Sequence, residues 1–391
     1  MEGFKDKVAV IGMGALRTGE LWDKGVDDML LEACTEAFND AGIEPRDVQA
    51  GFLGYFYGGG PATLGRALKL GVKPLTVVEN WCATGADVFR NAAAWVAGGL
   101  YDIVLVAAVE KMKDAGTTGI RVTSMMPTTE HQPPTAPPVN FAMSAVRYMH
   151  QYGLTYDQVK QTLGHIAIKN HHNGSMNPKA AFQKPITWDQ YINAPLIAWP
   201  LGLYDCCANI DGAAAAILTR PEIARQLKDD YVLLKASANA TGDFTNSVSH
   251  QYDYVHFEEN LVASHSAYAQ AGIVNPFKEL SCVEVHDAFT VNELVICEDL
   301  GLSPRGRGWE YHTGGVFDLD GELPVNTSGG LKCFGHPVGA TGLKALLEPY
   351  LQMRGKAGPR QVKNPRLALS HSMGGSTGTF GTLITIFGPR D

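Results

Sequence analysis

The stretch Ala37-Phe38-Asn39-Asp40-Ala41-Gly42-Ile43 returns 230 residues later as Ala267-Tyr268-Ala269-Gln270-Ala271-Gly272-Ile273. Ahead of the first copy, Met29, Leu30, Ala33 and Ala37 recur at helical spacing, so a helix is predicted over 26–40 with Gly42 at its C-cap. Other echoes keep the same order. A helix ending at Leu70-Gly71 returns as one ending at Leu300-Gly301. Ala83-Thr84-Gly85, a helical stretch and the strand-like run 102–109 return as Ala340-Thr341-Gly342, a helical stretch and the run 366–372. One match would be coincidence; four in order predict a duplicated fold.

The elements around these repeats alternate. Runs 8–11, 75–78 and 103–109 read as short buried strands and 86–97 as a helix, which predicts an α/β layered architecture. Segment 116–199 breaks the pattern, being rich in Pro, Met, Asn and His. In it, 133–138 reads as a proline loop and 155–170 as a polar-faced helix. We expect an inserted loop domain there, within a first half comprising 1–115 and 200–262, followed by a second half at 263–391. The first half resumes near Leu203, and after the turn Asp211-Gly212 it closes with the apolar strand 213–218.

The 391 residues include 32 basic and 40 acidic side chains, a formal charge of −8, and are 45% hydrophobic. That composition excludes a disordered chain, and it lacks the basic stripe that nucleic acid requires of a main partner. The apolar runs fall short of the ~20 residues of a membrane span. Met1–Lys7 has no secretory pattern and Gly388-Pro389-Arg390-Asp391 is no peroxisomal address. Seven scattered cysteines without a C-x-x-C pair suit a reducing compartment and predict neither a disulfide scaffold nor a metal site. A cytoplasmic location is the expectation.

Three residues stand out for chemistry. Cys82, in Asn80-Trp81-Cys82-Ala83-Thr84-Gly85, follows a strand and opens a helix, where backbone N–H groups and the helix dipole favour a thiolate. His286 ends the strand of Val283-Glu284-Val285-His286-Asp287-Ala288-Phe289, and His336 lies in a glycine-rich loop before another helix. Singly, each is by default a structural residue. Under the duplication, Cys82 and His336 occupy equivalent strand-to-helix turns with His286 on the neighbouring one, at the sheet edge where sites form. A cysteine with two histidines there is equipped for covalent acyl chemistry.

Other signals are weaker. Gly374-Gly375-Ser376-Thr377-Gly378 matches G-x-S-x-G, but a strand-like run follows where the hydrolase elbow needs a helix. The turn is better suited to offering N–H donors to an oxyanion. Gly12-Met13-Gly14 hints at a dinucleotide fingerprint, yet Arg17 stands where its third glycine belongs. His171-His172 reads as solvated loop histidines and Cys206-Cys207 as packing at a strand start. Trp81, Phe141, Met143, Met149 and Phe289 could line a pocket or simply fill the core.

Taken in order, Cys82-Ala83-Thr84-Gly85, His286-Asp287-Ala288-Phe289, Asn326-Thr327-Ser328-Gly329-Gly330 and Gly335-His336-Pro337 resemble the blocks of the thiolase superfamily over essentially the whole chain. The second block is similar to that of sterol-carrier-protein-type and archaeal-type acyltransferases. The resemblance implies a duplicated α-β-α-β-α fold with an inserted loop domain, 116–199, over the pantetheine arm of coenzyme A. It implies Cys82 as the acyl-accepting nucleophile, His336 as its activator, His286 in the first oxyanion hole, and the N–H groups of Cys82 and Gly374 as the second. It also implies no tightly bound cofactor, coenzyme A as substrate, a homodimer or tetramer, and in some relatives a small OB-fold, zinc-ribbon partner.

One departure matters. Thiolases carry a second cysteine as acid/base, but the corresponding positions here hold Ser372 or Ala288. Cys333, His371 and Ser372 are the candidates to replace it. The sequence thus predicts an acyl-CoA C-acyltransferase working through acyl-Cys82. Two alternatives stand beside it: a retro-aldolase for a bulky steroid-type CoA ester, and a CoA-ester-binding or scaffold subunit.

Overall fold

In the computed structural model, which describes residues 3–115, 136–243, 252–375 and 377–390, helix α1 (Val26–Ala41) forms where the apolar spacing puts it. Asp28 accepts from the Gly25 N–H at 2.9 Å, and Gly42 closes the other end at φ 71°. The helix lies so close to β1 (Ala9–Ala15) that a Cβ on Gly12 or Gly14 would come within 2.3 Å of the Ala37 or Ala33 carbonyl. These glycines serve helix–strand packing, not a dinucleotide.

The first half continues with β2 (Ala50–Gly54), α2 (Ala62–Leu68), β3 (Leu75–Val78), α3 (Thr84–Ala97) and β4 (Ile103–Glu110). After it come α4 (Pro137–Tyr152), α5 (Tyr156–Ser175), α6 (Trp188–Ile192) and the small hairpin β5 (Leu196–Ala198) and β6 (Leu201–Gly202). Then follow β7 (Gly212–Thr219), α7 (Pro221–Leu227), β8 (Val232–Thr241), α8 (Glu258–Ala271), α9 (Pro276–Glu279), β9 (Cys282–Glu284), α10 (Thr290–Asp299) and α11 (Gly308–Thr313). The last elements are α12 (Gly330–Phe334), α13 (Thr341–Ala345), α14 (Leu347–Met353), β10 (Ala368–Gly374) and β11 (Gly381–Gly388).

The large sheet runs β3-β2-β4-β7-β1-β8-β11-β10-β9. Read outward from the β1–β8 seam, its two halves are copies. The order β1-β7-β4-β2-β3 is matched by β8-β11-β10-β9, with Val325, bridged in parallel to Val283, as the remnant of a fifth strand. Strand directions match pair by pair: β4–β7 and β10–β11 are antiparallel, β2–β4 and β9–β10 parallel. The seam itself is short, pairing Ala9 with Leu233 and Val10 with Val232. β8 falls in the segment assigned above to the first half, yet it pairs with β11 along its length and so serves the second.

Helices α3 and α13 begin with the repeated Ala-Thr-Gly triplets and pack against each other between the half-sheets. A Cβ on Gly85 would lie 2.4 Å from the Leu343 nitrogen, and one on Gly342 2.4 Å from the Ala86 nitrogen. The reciprocal approach explains why both copies keep glycine. Apolar layers follow: α1 against one half-sheet through Met29 and Phe38, a central layer through Val88, Phe89 and Leu343, and a third around Phe257, Leu294 and Ile384. No helix among the described residues is long and apolar enough to cross a membrane.

Two expectations about 116–199 need correction. Pro137 and Pro138 do not lie in a loop but open α4, where a missing N–H costs nothing; residues 133–135 are outside the described ones. His171-His172 do not lie in a solvated loop but in α5, with His171 buried, and the polar groups of this helix turn inward. Lys160, Lys169, Asn170 and Asn173 are all buried, because they hold other polar groups of the fold.

Candidate active site

After β3 the chain makes a single 3-10 turn, Trp81–Ala83, before α3. Trp81 sits at φ 51°, a left-handed conformation costing a non-glycine residue roughly 1 kcal/mol. It is held there by its N–H on Glu79 Oε1 at 2.6 Å and by the Asn80 N–H on Thr84 Oγ1 at 2.7 Å. Its ring rests on Phe56 rather than in the cavity. The bend carries Cys82 onto the cavity wall.

His336 meets it from the second half. Its Nε2 is 3.2 Å from Cys82 Sγ and its Nδ1 2.7 Å from Thr341 Oγ1. The Thr341 hydroxyl donates to the Pro337 carbonyl at 2.9 Å, so it accepts from His336 Nδ1–H and leaves the Nε2 lone pair facing the thiol. His336 is not immediately after a strand, as the repeat predicted; α12 precedes it, and its N–H is fixed on the Ala208 carbonyl at 3.0 Å. His286 stands edge-to-face at 5.3 Å from His336. Ligand atoms of Cys82, His286 and His336 all lie within 4.8 Å of one another. Among the described residues, His286 Nδ1 has no partner.

The charge state differs from the sequence expectation. Burial, then the neighbouring Cys207 and Glu110, raise the Cys82 thiol well above its ordinary value, outweighing the helix terminus. Burial, His286 and Lys344 hold His336 well below the usual imidazole value, and burial and Lys344 bring His286 down to about 3. Lys344 is itself buried, its Nζ donating to the Gly335 carbonyl at 2.6 Å. The resting pair is therefore a neutral thiol donating to a neutral imidazole, which takes the proton as sulfur attacks.

Polar groups of α5 support the histidine loops from behind. Asn170 Nδ2 donates to Asp287 Oδ2 and to Glu293 Oε2, both at 2.8 Å, and Lys169 pairs with Glu293 at 2.7 Å. Asn326 closes the set by accepting from the Val285 N–H at 2.8 Å and donating to Glu293 at 2.7 Å. At the end of β10, Gly374 passes the nucleophile turn so closely that a Cβ would lie 2.7 Å from the Cys82 nitrogen and 2.6 Å from that of Ala83. Ser376 is outside the described residues.

The cavity in front of Cys82 measures about 1060 Å³ and is lined mainly by apolar side chains. Phe141 stacks on Phe289 at 4.8 Å and on Phe380 at 6.1 Å, while Arg17 and Lys184 bring positive charge to the lining. Cys82, His286, His336 and Gly374 all face it, but none of Cys333, His371 and Ser372 does. Cys333 is buried against Gly174 of α5. His371 accepts the His286 backbone N–H on Nδ1 at 3.4 Å and donates from Nε2 to Asn260 at 3.0 Å, so it props the loop. Ser372 is buried within β10. Of the aromatic and methionine candidates, Phe141 and Phe289 reach the cavity and Trp81, Met143 and Met149 do not.

Sequence reasoning missed His171, Cys206, Cys207 and Lys332. His171 is buried on α5, lowered to about 4 by burial and Lys332, and lines the cavity. Cys206 and Cys207 are not at a strand start but in the loop before β7, where Cys206 bridges Phe289 and Cys207 N–H donates to the Ala288 carbonyl at 2.9 Å. Their one legible signal is position, at the point where the chain re-enters the first half beside the Cys82 turn.

A partly buried thiol bonded to a neutral imidazole at the mouth of an apolar chamber is an apparatus for covalent acyl transfer. The family comparison agrees with that class. The N-terminal thiolase domain matches residues 8–222 and the thiolase C-terminal domain-like family residues 240–386. The chain belongs to the thiolase family and is an enzyme of its acyltransferase class. It is 38% identical over 381 residues to the acetyl-CoA acetyltransferase of Methanothermobacter thermautotrophicus, covering 95% of this chain and 97% of that one. It is 31% identical to sterol carrier protein 2 of Bos taurus, covering 95% of this chain and 70% of that one. Among solved structures, the Ltp2-ChsH2(DUF35) aldolase is similar with a TM-score of 0.84 and 26% identity over 99% of both chains.

Proposed function

We propose that the enzyme cleaves 3-ketoacyl-CoA with free coenzyme A, or runs the reverse Claisen condensation, through an acyl-Cys82 intermediate. The observation that carries this reading is the 3.2 Å contact of Cys82 Sγ with an imidazole whose other nitrogen is committed to Thr341. As Cys82 attacks the 3-keto carbonyl, His336 takes the thiol proton. His286 and His336 then face the oxygen of one thioester, and the Cys82 and Gly374 N–H groups the oxygen of the other. Arg17 and Lys184 would meet the phosphates of coenzyme A, which enters as substrate. The seven cysteines are all free, in keeping with a reducing cytoplasm, and β3, at the edge of the large sheet, is the side for a homodimer or tetramer contact.

Incubation with free coenzyme A and 3-ketoacyl-CoA esters of increasing length tests this, with chromatography of the products. The reading expects two shorter acyl-CoA products, and no cleavage of any ester refutes it. A second reading, retro-aldol cleavage with an OB-fold partner, is favoured by the likeness to the aldolase complex. It expects cleavage of a β-hydroxy CoA ester that survives Cys82→Ala and needs the partner.

A further inference from the structure

Thiolytic cleavage makes a demand that Cys82 and His336 do not meet. When the bond between the α-carbon and the 3-keto carbon breaks, the departing α-carbon carries an electron pair and needs a proton. The three residues expected to supply it, Cys333, His371 and Ser372, stand off the cavity.

Among the described residues, three other proton carriers on the wall are committed elsewhere. His171 faces Lys184, Phe182 and Tyr204, with Nδ1 on the Lys184 carbonyl at 3.4 Å. Cys206 turns its Sγ to the Gly202 carbonyl at 3.5 Å. Lys332 donates to the Cys206 carbonyl. Cys207 remains. It is partly exposed, lines the same cavity as Cys82, His286 and His336, and is tied by its N–H to the Ala288 carbonyl, two residues from His286.

We infer that Cys207 is the acid/base that serves the α-carbon, a role that rests on the acyl-transfer reading above. In cleavage, Cys82 sulfur bonds to the 3-keto carbon and the carbon–carbon bond breaks. The α-carbon takes the proton of the Cys207 thiol and leaves as the methyl group of acetyl-CoA. Coenzyme A then gives its thiol proton to the Cys207 thiolate and attacks acyl-Cys82, releasing the Cys82 thiolate to recover its proton from His336. Protons and thioesters balance over the cycle, and no oxidant or further reactant enters.

The electrostatics fit a resting acid. Burial pushes the Cys207 thiol up to about 12, so it holds its proton at neutral pH, while the Lys332 ammonium pulls the other way and would steady the transient thiolate.

The test compares the native chain with Cys207→Ala and Cys207→Ser in three readouts: acylation of Cys82 by acetyl-CoA, cleavage of acetoacetyl-CoA, and deuterium uptake from heavy water into the methyl group of acetyl-CoA. The inference expects losses of about 100-fold or more in cleavage and deuterium uptake, and slower acylation as well, because the departing coenzyme A thiolate takes its proton from Cys207. Placing a thiol on the adjoining residue, Ala288→Cys in the Cys207→Ala chain, should restore part of both. Cleavage and deuterium uptake at native rates in a folded Cys207→Ala chain would overturn the inference and leave acyl transfer standing. A native chain that cannot be acylated would refute the acyl-transfer reading, and this inference with it.

Discussion

Replacing Thr341 with valine changes one atom of the site's shape and deletes its hydroxyl. That hydroxyl accepts from His336 Nδ1–H at 2.7 Å and donates to the Pro337 carbonyl at 2.9 Å. Without it the ring is free to exchange tautomers, and the imidazolium formed when Cys82 gives up its proton has no acceptor behind it. A hydrogen bond to a charged group is worth about 1.5–3 kcal/mol, so acylation of Cys82 should slow about 10- to 150-fold. The His336 Nδ1–H is left without a partner, at roughly 1–3 kcal/mol in stability, while the Pro337 carbonyl keeps the Ala340 N–H at 2.9 Å. The assay is single-turnover acylation by acetyl-CoA followed by mass, with a denaturation curve for each chain. Native acylation rates in a Thr341→Val chain would refute the tautomer argument.

Gly374→Ala forces a methyl into the backbone of the Cys82 turn and should cut acylation by about 100-fold or more, as removal of an oxyanion donor does; rapid mixing with acetyl-CoA measures it. Lys169→Met leaves the Glu293 carboxylate without its cation, and chemical denaturation should show a loss of roughly 3–5 kcal/mol. Because His336 is held well below the ordinary imidazole value, acylation should stay nearly level from pH 7.5 to 5.5, where a histidine of ordinary pKa would lose about tenfold. A rate profile with an inflection near pH 6.5 would contradict that assignment.

The duplication was legible because each half must bury the same faces. The Ala-Thr-Gly triplets recur since Gly85 and Gly342 each admit the other helix's backbone. Cys82, His286 and His336 could be picked out because all three sit near the turns that the repeat superimposes. The burial of α5 could not be, since Lys169 and Asn170 are satisfied by Glu293 and Asp287, more than a hundred residues away. The thiol's charge state failed for a related reason: the helix terminus is local and readable, whereas the desolvation that outweighs it comes from the whole cavity wall. Cys207 was missed because its closeness to the site depends on a backbone pairing with Ala288 that no spacing announces.

The most direct test of the account is intact-protein mass spectrometry of the native chain and of Cys82→Ala after incubation with acetyl-CoA and acetoacetyl-CoA. Covalent acyl transfer predicts one acetyl adduct on the native chain, discharged by free coenzyme A, and none on the variant. An unmodified native chain with either ester and with longer acyl-CoAs, or an adduct that persists in Cys82→Ala, would contradict it.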